Sequence, residues 1–391
     1  MALSRVVRPA RTRWRCGLSR RMALVTGGAG LIGSHLADVL HGEGWAVRVY
    51  DNLEPQTHAN GRPGWISPAT EFVLGVVRDG AGLEAALEGV DTVFHLAAYG
   101  GYMPEIAKFV DVNSLGTARL LETIRDRNLP VRKLVIASSQ AVYVEGAVLC
   151  DDHGVRFPPR REAADLAAGR FAVPCPLCGH ATRSVPTAEQ APIGGETVYA
   201  LTKLDQERLA LTWSRQVGIP AVALRFACTY GPRQSLFNPY TGVIAVFCTR
   251  LVNGLPPVLY EDGEQTRDLT YVGDIARACL LASESDRLDG LAANVGTGRP
   301  TSIRQLAELL AEVLEIGIAP ETPGAYRPGE MRALTPDTTL IAAAGFEPRV
   351  ALEEGLRRYV GWLREQGPVG ERFGDSLERL RRHRVVQAVA P

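Results

Sequence analysis

The turn Thr26-Gly27-Gly28-Ala29-Gly30-Leu31-Ile32-Gly33 restricts what this chain can fold into more than any other stretch. It follows a short apolar run, Ala23-Leu24-Val25, and opens a helical stretch from Leu31 to Leu40 that stops near Gly42 and Gly44. The spacing Gly28-x-Gly30-x-x-Gly33 allows a tight turn. It also lets the backbone approach a pyrophosphate seated at a helix N-terminus. A second strand, Ala46-Val47-Arg48-Val49-Tyr50, ends at Asp51, 18 residues beyond Gly33. A carboxylate there reaches the adenosine ribose hydroxyls and repels a 2′-phosphate, which favours NAD over NADP. A bare glycine triplet also describes a plain tight turn; the strand–turn–helix–strand–Asp order is what favours a nucleotide.

The pattern continues. Phe72-Val73-Leu74, Thr92 to Leu96 and Lys133 to Ala137 read as strands, with helical stretches at Gly82 to Leu87 and Ser114 to Asp126 between them. Strands alternating with helices give a parallel sheet covered on both faces. The expected fold is therefore α/β: a Rossmann-type doubly wound parallel sheet with a smaller C-terminal α/β substrate domain. A helix from Val198 to Gln216 and a strand from Ala221 to Arg225 extend the first domain. Later helices fall at Val243 to Val252, Val272 to Ala282 and Ile303 to Leu314. Glu145 to Ile193 breaks the alternation with clustered Pro and Arg and reads as an insertion. The expected division is a basic extension over 1–21, a nucleotide-binding domain over 22–230 carrying the insertion 145–193, a substrate domain over 231–366, and a basic tail over 367–391 that is frayed or solvent-exposed. No internal repeat is visible.

Composition removes several functions. Lys+Arg and Asp+Glu are both 43, so no net basic field attracts nucleic acid or a membrane surface. No apolar run is long enough to span a bilayer. The seven cysteines are odd in number and mostly isolated, which suits a reduced cytoplasmic protein and not a disulfide scaffold. Met1 to Arg21 is Arg-rich without an acidic residue. It is expected to be a disordered arm or an over-long start, with Met22 a natural initiator; a transit peptide is the alternative.

Tyr199 and Lys203 form Tyr-x-x-x-Lys, and positions i and i+4 share one face of a helix. An ammonium beside a phenol favours the phenolate, which can exchange a proton with a substrate hydroxyl. With a nucleotide turn upstream, the pair suggests hydride chemistry at an alcohol carbon.

These residues resemble the extended short-chain dehydrogenase/reductases that act on nucleotide sugars. The resemblance is carried by Thr26 to Leu36, Asp51-Asn52-Leu53, His95-Leu96-Ala97-Ala98, Asn113, Ser138 to Tyr143 and Tyr199 to Lys203. Further on it is carried by Tyr230 to Arg233, Arg267 to Val272 and Asn294 to Gly298. It runs from Met22 to about Leu363. Within the family the chain is most similar to the sugar 4-epimerases, a similarity that includes Phe237 to Gly242.

The resemblance implies roles. Tyr199 is the acid/base, Lys203 holds the nicotinamide ribose and lowers the Tyr199 pKa, and Ser139 hydrogen-bonds the reacting sugar oxygen. Gly27, Gly30, Leu31, Ile32, Gly33, Asp51 and Asn52 fall to NAD. So do Leu96, Ala97, Ala98, Asn113 and Asp79, together with Tyr199 and Lys203. The substrate falls to Ser139, Cys228, Arg233, Arg267 and Arg327, the arginines clamping the diphosphate; bidentate guanidinium contacts suit phosphate oxygens. Each arginine could instead be a solvated surface residue. Family dehydratases carry acidic residues directly after the catalytic Ser/Thr, and decarboxylases carry Glu there. Gln140 and Ala141 are neither, which leaves chemistry that needs one acid/base at one carbon.

Three positions depart from the family pattern. Cys228 stands where Asn usually contacts the substrate, and a thiol is a weak hydrogen-bond partner. Val76 replaces an Asp that touches adenine, with Asp79 the nearest carboxylate. Val144 replaces the Gly after Val-Tyr.

Within the insertion, Cys150-x-x-His153-Gly154 and Cys175-x-x-Cys178-Gly179 match paired zinc knuckles. Four N/S ligands would close a structural tetrahedron, with His180 the substitute for His153. Two free cysteines and a loop histidine are the competing reading. Other histidines, such as His35, His41 and His95, fit helix or strand packing and are assigned no chemistry.

The expected activity is NAD-dependent epimerisation of a nucleoside-diphosphate sugar, a dTDP-sugar first, at C4 through a 4-keto intermediate, by a homodimer. The alternatives are a 4-keto-sugar reductase or dehydrogenase, epimerisation at another carbon, and a non-catalytic NAD-binding protein.

Overall fold

The computed structural model describes residues 21–101, 104–236, 238 and 242–390. The extension up to residue 20, and Phe237, Pro239, Tyr240 and Thr241 of the epimerase-like segment, lie outside the described residues.

The first half runs β1 (Met22–Thr26), α1 (Leu31–Gly42), β2 (Ala46–Asp51), β3 (Glu71–Leu74), α2 (Gly80–Leu87) and β4 (Thr92–His95). Then come α3 (Ile106–Phe109), a π-helical stretch Val110–Leu115, α4 (Gly116–Asp126) and β5 (Lys133–Ser139). The insertion folds as β6 (Val148–Cys150), β7 (Gly154–Arg156), α5 (Ala163–Ala167) and β8 (Arg183–Ser184). After it follow α6 (Val198–Val217), β9 (Ala221–Phe226), β10 (Cys228–Tyr230), α7 (Val243–Val252), β11 (Thr266–Tyr271), α8 (Val272–Glu284) and β12 (Ala292–Val295). The chain ends through β13 (Pro300–Ser302), α9 (Ile303–Leu314), β14 (Ala325–Tyr326), β15 (Ala333–Leu334), α10 (Thr339–Ala343), α11 (Leu352–Glu365), α12 (Phe373–Arg382) and β16 (Gln387–Ala388).

The main sheet has seven strands in the order β12-β9-β5-β4-β1-β2-β3, all parallel. Its strands are apolar at nearly every position because both faces are covered. Val25, Val135, Val222 and Leu224 face α1 and α8, where Leu36, Leu40, Ile275 and Cys279 pack. Their neighbours Leu24, Leu134, Ala221 and Ala223 face the other way, against Leu83, Leu120, Ile124 and Trp213 of α2, α4 and α6. The order reverses between β1 and β4, and in such sheets a ligand crevice opens at the carboxyl ends beside that reversal.

A smaller unit has the sheet order β10-β11-β13, with β15 also paired to β11. Residues of α7, α9 and α11, among them Phe247, Leu306, Leu310 and Leu356, enclose its core. Helix α9 opens with a reciprocal cap between Ser302 and Gln305.

Two expectations are corrected. The boundary at 230 is not a clean division: α8 packs on α1, and β12 joins the main sheet beside β9, so residues 272–295 complete the first layer. A sheet edge offers unpaired backbone groups, and β12 satisfies those of β9. The tail is not frayed either. Phe373, Leu380 and Val386 are buried, and β16 pairs antiparallel with β14. Among the described residues no helix is long and apolar enough to cross a membrane.

Candidate active site

A cavity of about 830 Å³ opens where the carboxyl ends of the main-sheet strands meet the smaller unit. It has three regions: a glycine-lined end, a polar centre, and an end with arginines and aromatics.

At the glycine end, Gly27, Gly30, Leu31, Ile32, Gly33, Asp51, Asn52, Leu96, Ala97 and Ala98 all line the cavity, as the sequence predicts. Gly27 has φ +68°, and a Cβ there would come within 2.8 Å of the Ala97 backbone. A Cβ on Gly33 would strike the Gly27 carbonyl. The turn therefore tolerates only glycine at both positions, which keeps the start of α1 open to a phosphate. The Asp51 carboxylate accepts from the Ala29 amide at 2.9 Å and the Leu53 amide at 2.8 Å, which fixes it at the mouth of the turn. These residues fit a dinucleotide: a backbone cradle for the pyrophosphate and a held carboxylate for the ribose.

At the centre stand Ser139, at the end of β5, and Tyr199 and Lys203, on the first two turns of α6. Thr197 caps that helix through the Ala200 amide. Burial pushes the Tyr199 phenol up, a hydrogen bond with Ser139 works against the rise, and Cys228 adds to it. Lys203 is brought down to about 7 by burial, with Glu207 opposing. Its ammonium donates to Gln206 at 2.6 Å, and Ser139, not Lys203, is the group that lowers the Tyr199 phenol. That corrects the expected direct effect of Lys203: the ammonium is drawn along the helix face toward a strong amide acceptor. Glu207, one turn on, takes Arg225 of β9 at 2.6 and 3.0 Å and the Ser138 hydroxyl at 2.6 Å. Arg225 also donates to the Tyr143 hydroxyl, which donates to Asn294 of β12. This buried network bolts α6 to three strands and sets where Tyr199 and Lys203 stand. Deleting one partner of such a pair costs about 3–5 kcal/mol, because the other charge stays buried.

At the far end, Arg267 and Arg327 line the cavity as expected. Both converge on Glu330: Arg267 at 3.0 Å and Arg327 at 3.7 Å. Burial pushes the Glu330 carboxyl up, but Arg327, Arg267 and Arg161 outweigh it and hold it below its ordinary range. Arg327 also lies over the Tyr260 ring, 4.5 Å from its centroid. Phe247, Val258, Tyr260 and Phe373 line the same cavity.

Three assigned residues stand elsewhere. Asn113 is fully buried behind the wall, where its amide takes the Tyr99 N–H at 2.7 Å and donates to the Tyr99 carbonyl and the Thr202 hydroxyl at 2.9 Å. It shapes the loop over the cavity and does not line it. Asp79 is the N-cap of α2 and accepts from the Ala81 amide, so its carboxylate is already used and off the cavity. Arg233 has φ +69°, which turns it away toward Asp38 on α1, at 2.7 Å. Cys228 does line the cavity, and its sulfur accepts from the Gln140 amide at 3.1 Å. Burial pushes the Cys228 thiol up, so it stands there as a neutral group.

In the insertion, Cys150, His153, Cys175 and Cys178 converge, with their four ligand atoms all within 4.8 Å of one another. Cys150 Sγ lies 3.6 Å from His153 Nδ1 and 3.7 Å from Cys178 Sγ, and Cys175 Sγ lies 3.7 Å from His153 Nδ1. A tetrahedron with metal–sulfur bonds of about 2.3 Å has edges of about 3.8 Å. His180, the substitute, is instead paired with Asp152 at 2.8 Å.

Sequence reasoning passed over Glu330, Tyr260, Phe247 and Phe373. Only Glu330 carried a signal, three residues after Arg327 in Arg327-Pro328-Gly329-Glu330.

The NAD dependent epimerase/dehydratase family model matches residues 23–162 and 171–296. The dTDP-L-rhamnose 4-epimerase of Burkholderia thailandensis is 35% identical over 356 residues, which is 88% of this chain and 95% of that protein. The UDP-glucose 4-epimerase of Thermotoga maritima, solved with UDP-glucose, superposes with a TM-score of 0.72 at 30% identity, over 88% of this chain and 99% of its own. The Thermus thermophilus UDP-glucose 4-epimerase, solved with NAD, gives 0.69 at 30% identity over the same shares. With an NAD-type turn, a Tyr/Lys/Ser centre and this match over most of its length, the chain belongs to the NAD-dependent epimerase/dehydratase family.

Proposed function

We propose that the protein epimerises a nucleoside-diphosphate sugar at C4 through a 4-keto intermediate, with NAD as its cofactor. One observation carries this reading: Tyr199 and Ser139 meet between a dinucleotide cradle and an arginine-lined end, and Gln140 and Ala141 beside them offer no second acid or base. Tyr199, as its phenolate, takes the proton of the C4 hydroxyl while Ser139 holds that oxygen, and Lys203 would hold the nicotinamide ribose. NAD, when bound, supplies a reversible acceptor for the C4 hydride. Arg267 and Arg327 hold the diphosphate while the ketone turns its other face. Tyr199 then returns the proton to the oxygen as C4 regains its hydride on the opposite face, so the cycle would be redox-neutral.

A dTDP-sugar is the first substrate to test, given the likeness to the Burkholderia enzyme, and UDP-sugars are the second, given the solved neighbours. The experiment is incubation with each sugar without added reductant, read by NMR for inversion at C4. Stoichiometric NADH consumption would establish the runner-up, a 4-ketoreductase.

Three finer points belong to the same reading. The protein works as a homodimer through the face of α3, the π-helical stretch and α6, where Ile106, Val110, Leu115, Leu201 and Leu209 are exposed. Such a patch suits a second copy of the same helices. Light scattering should give twice the chain mass, falling to one chain in Leu201→Arg with Leu209→Arg; a wild-type monomer ends the idea. The compartment is the cytoplasm, in keeping with the free thiols; cell fractionation that places the protein elsewhere would refute it. The quartet Cys150, His153, Cys175 and Cys178 holds a structural Zn²⁺, supported by its near-tetrahedral spacing.

A further inference from the structure

The C-terminal segment lies beyond the part of the chain that the family model matches. The solved relatives above cover 99% of their own length but 88% of this chain, so the chain carries segments they do not match. In the folded protein this segment crosses the far end of the cavity. It is tied to the smaller unit first: Asn253, just after α7, donates to the Val369 carbonyl at 2.8 Å, and Arg250 of α7 pairs with Glu371 at 3.7 Å. Arg250 also lies over the Phe373 ring, 5.6 Å from its centroid. Helix α12 then leads to the opposite wall. There Leu380 and Val386 pack with Tyr99 and Phe109, and Arg379 pairs with Glu105 at 2.5 Å. Glu105 in turn accepts from the Tyr99 hydroxyl at 3.0 Å. Finally β16 adds to β14, next to Arg327, and the Ala390 amide donates to Ala167 of the insertion at 2.7 Å.

The chemistry of the cavity says what this crossing faces. Phe247, Val258, Tyr260 and Phe373 line the same cavity as Arg267 and Arg327, and Tyr260 lies under the Arg327 guanidinium, so a diphosphate held by the arginines brings its nucleoside within reach of these walls. A flat base needs apolar and aromatic walls of that kind. Phe373 is buried against Arg250 yet lines the cavity, so its ring is braced from outside.

We propose that the C-terminal segment is the outer wall of the nucleoside half of the site, with Phe373 packing against the nucleobase. This rests on the nucleotide-sugar reading and adds an affinity determinant from outside the matched region. The tests use full-length protein titrated calorimetrically with dTDP and with UDP. Phe373→Ala should bind both about 10-fold more weakly, the scale of a lost base–aromatic contact. Phe373→Trp should restore most of the affinity, and acid-extracted NAD should match wild type in both variants. In turnover assays the loss should fall on KM. Saturating dTDP should also slow proteolytic cleavage between Gly367 and Gly370 in wild type. Wild-type affinity in Phe373→Ala, or cleavage indifferent to nucleotide, would overturn the inference alone. A wild-type protein that binds neither nucleotide would remove the nucleotide-sugar reading and this inference with it.

Discussion

Tyr199→Phe should lower turnover by about 10³-fold, within the range of roughly 10²–10⁴ for loss of a positioned acid/base, and should leave bound NAD unchanged. The substitution removes one oxygen and keeps the ring. The ring packs near Phe109, 6.2 Å between centroids, and lies against the cluster of Tyr99, Phe109 and Leu380. The fold at that point therefore does not depend on the hydroxyl. The cofactor cradle does not either, since it is built from the Gly27–Gly33 turn and Asp51. What is lost is the atom proposed to take the C4 hydroxyl proton. Ser139 cannot replace it: its oxygen already accepts the Ala141 amide, and an alcohol is a poor base. Gln140 and Ala141 bring no carboxylate to share the task. Single-turnover measurement of NADH absorbance should show no transient reduction in the variant. Full activity with wild-type NAD content would sink the acid/base assignment while leaving the family membership intact.

The strand runs were legible for a physical reason. A strand buried on both faces is apolar at nearly every position, so Leu134-Val135-Ile136-Ala137 announces itself. The Tyr/Lys pair was legible because helical periodicity alone places both on one face. The partners of these residues were not. Glu207 holds Arg225 and Ser138 across the sheet, and no local pattern says that a mid-helix Glu will be buried. Asp79 was misread although the signal was present: an Asp just before a helical run is first a cap. Arg233 followed its motif by letter, yet a left-handed backbone turned it to Asp38. The tail failed for another reason. Phe373, Leu380 and Val386 are sparse among arginines, and they become core only against Tyr99 and Phe109, far away in sequence.

Purified protein should carry one zinc per chain, and Cys175→Ser should lose both the metal and the order of the insertion. The insertion has little regular structure of its own around the four ligands. Its strands β6, β7 and β8 are two or three residues long, and α5 has five. Elements that short bury too little among themselves to offset their chain entropy. A closed Cys₃His site supplies apparent binding energy of about 10–16 kcal/mol in zinc-finger peptides at neutral pH. The consequence should reach the active site through Arg161, which precedes α5. Arg161 grips Glu261 at 2.8 and 2.9 Å and donates to the Glu330 carbonyl at 2.7 Å. If the insertion loosens, Glu261, which is 3% exposed, loses its bidentate partner, and the Glu330 that organises Arg267 and Arg327 loses its brace. Cys175→Ser should therefore raise the KM for the sugar nucleotide and expose the insertion to protease, while bound NAD stays near wild type. Histidine variants separate the two candidate ligands. His153→Ala should lower the zinc content, and His180→Ala should keep it, because His153 is the histidine that converges with Cys150, Cys175 and Cys178. Elemental analysis showing no zinc in wild type, with Cys175→Ser as protease-resistant as the parent, would establish that the four side chains meet for packing alone.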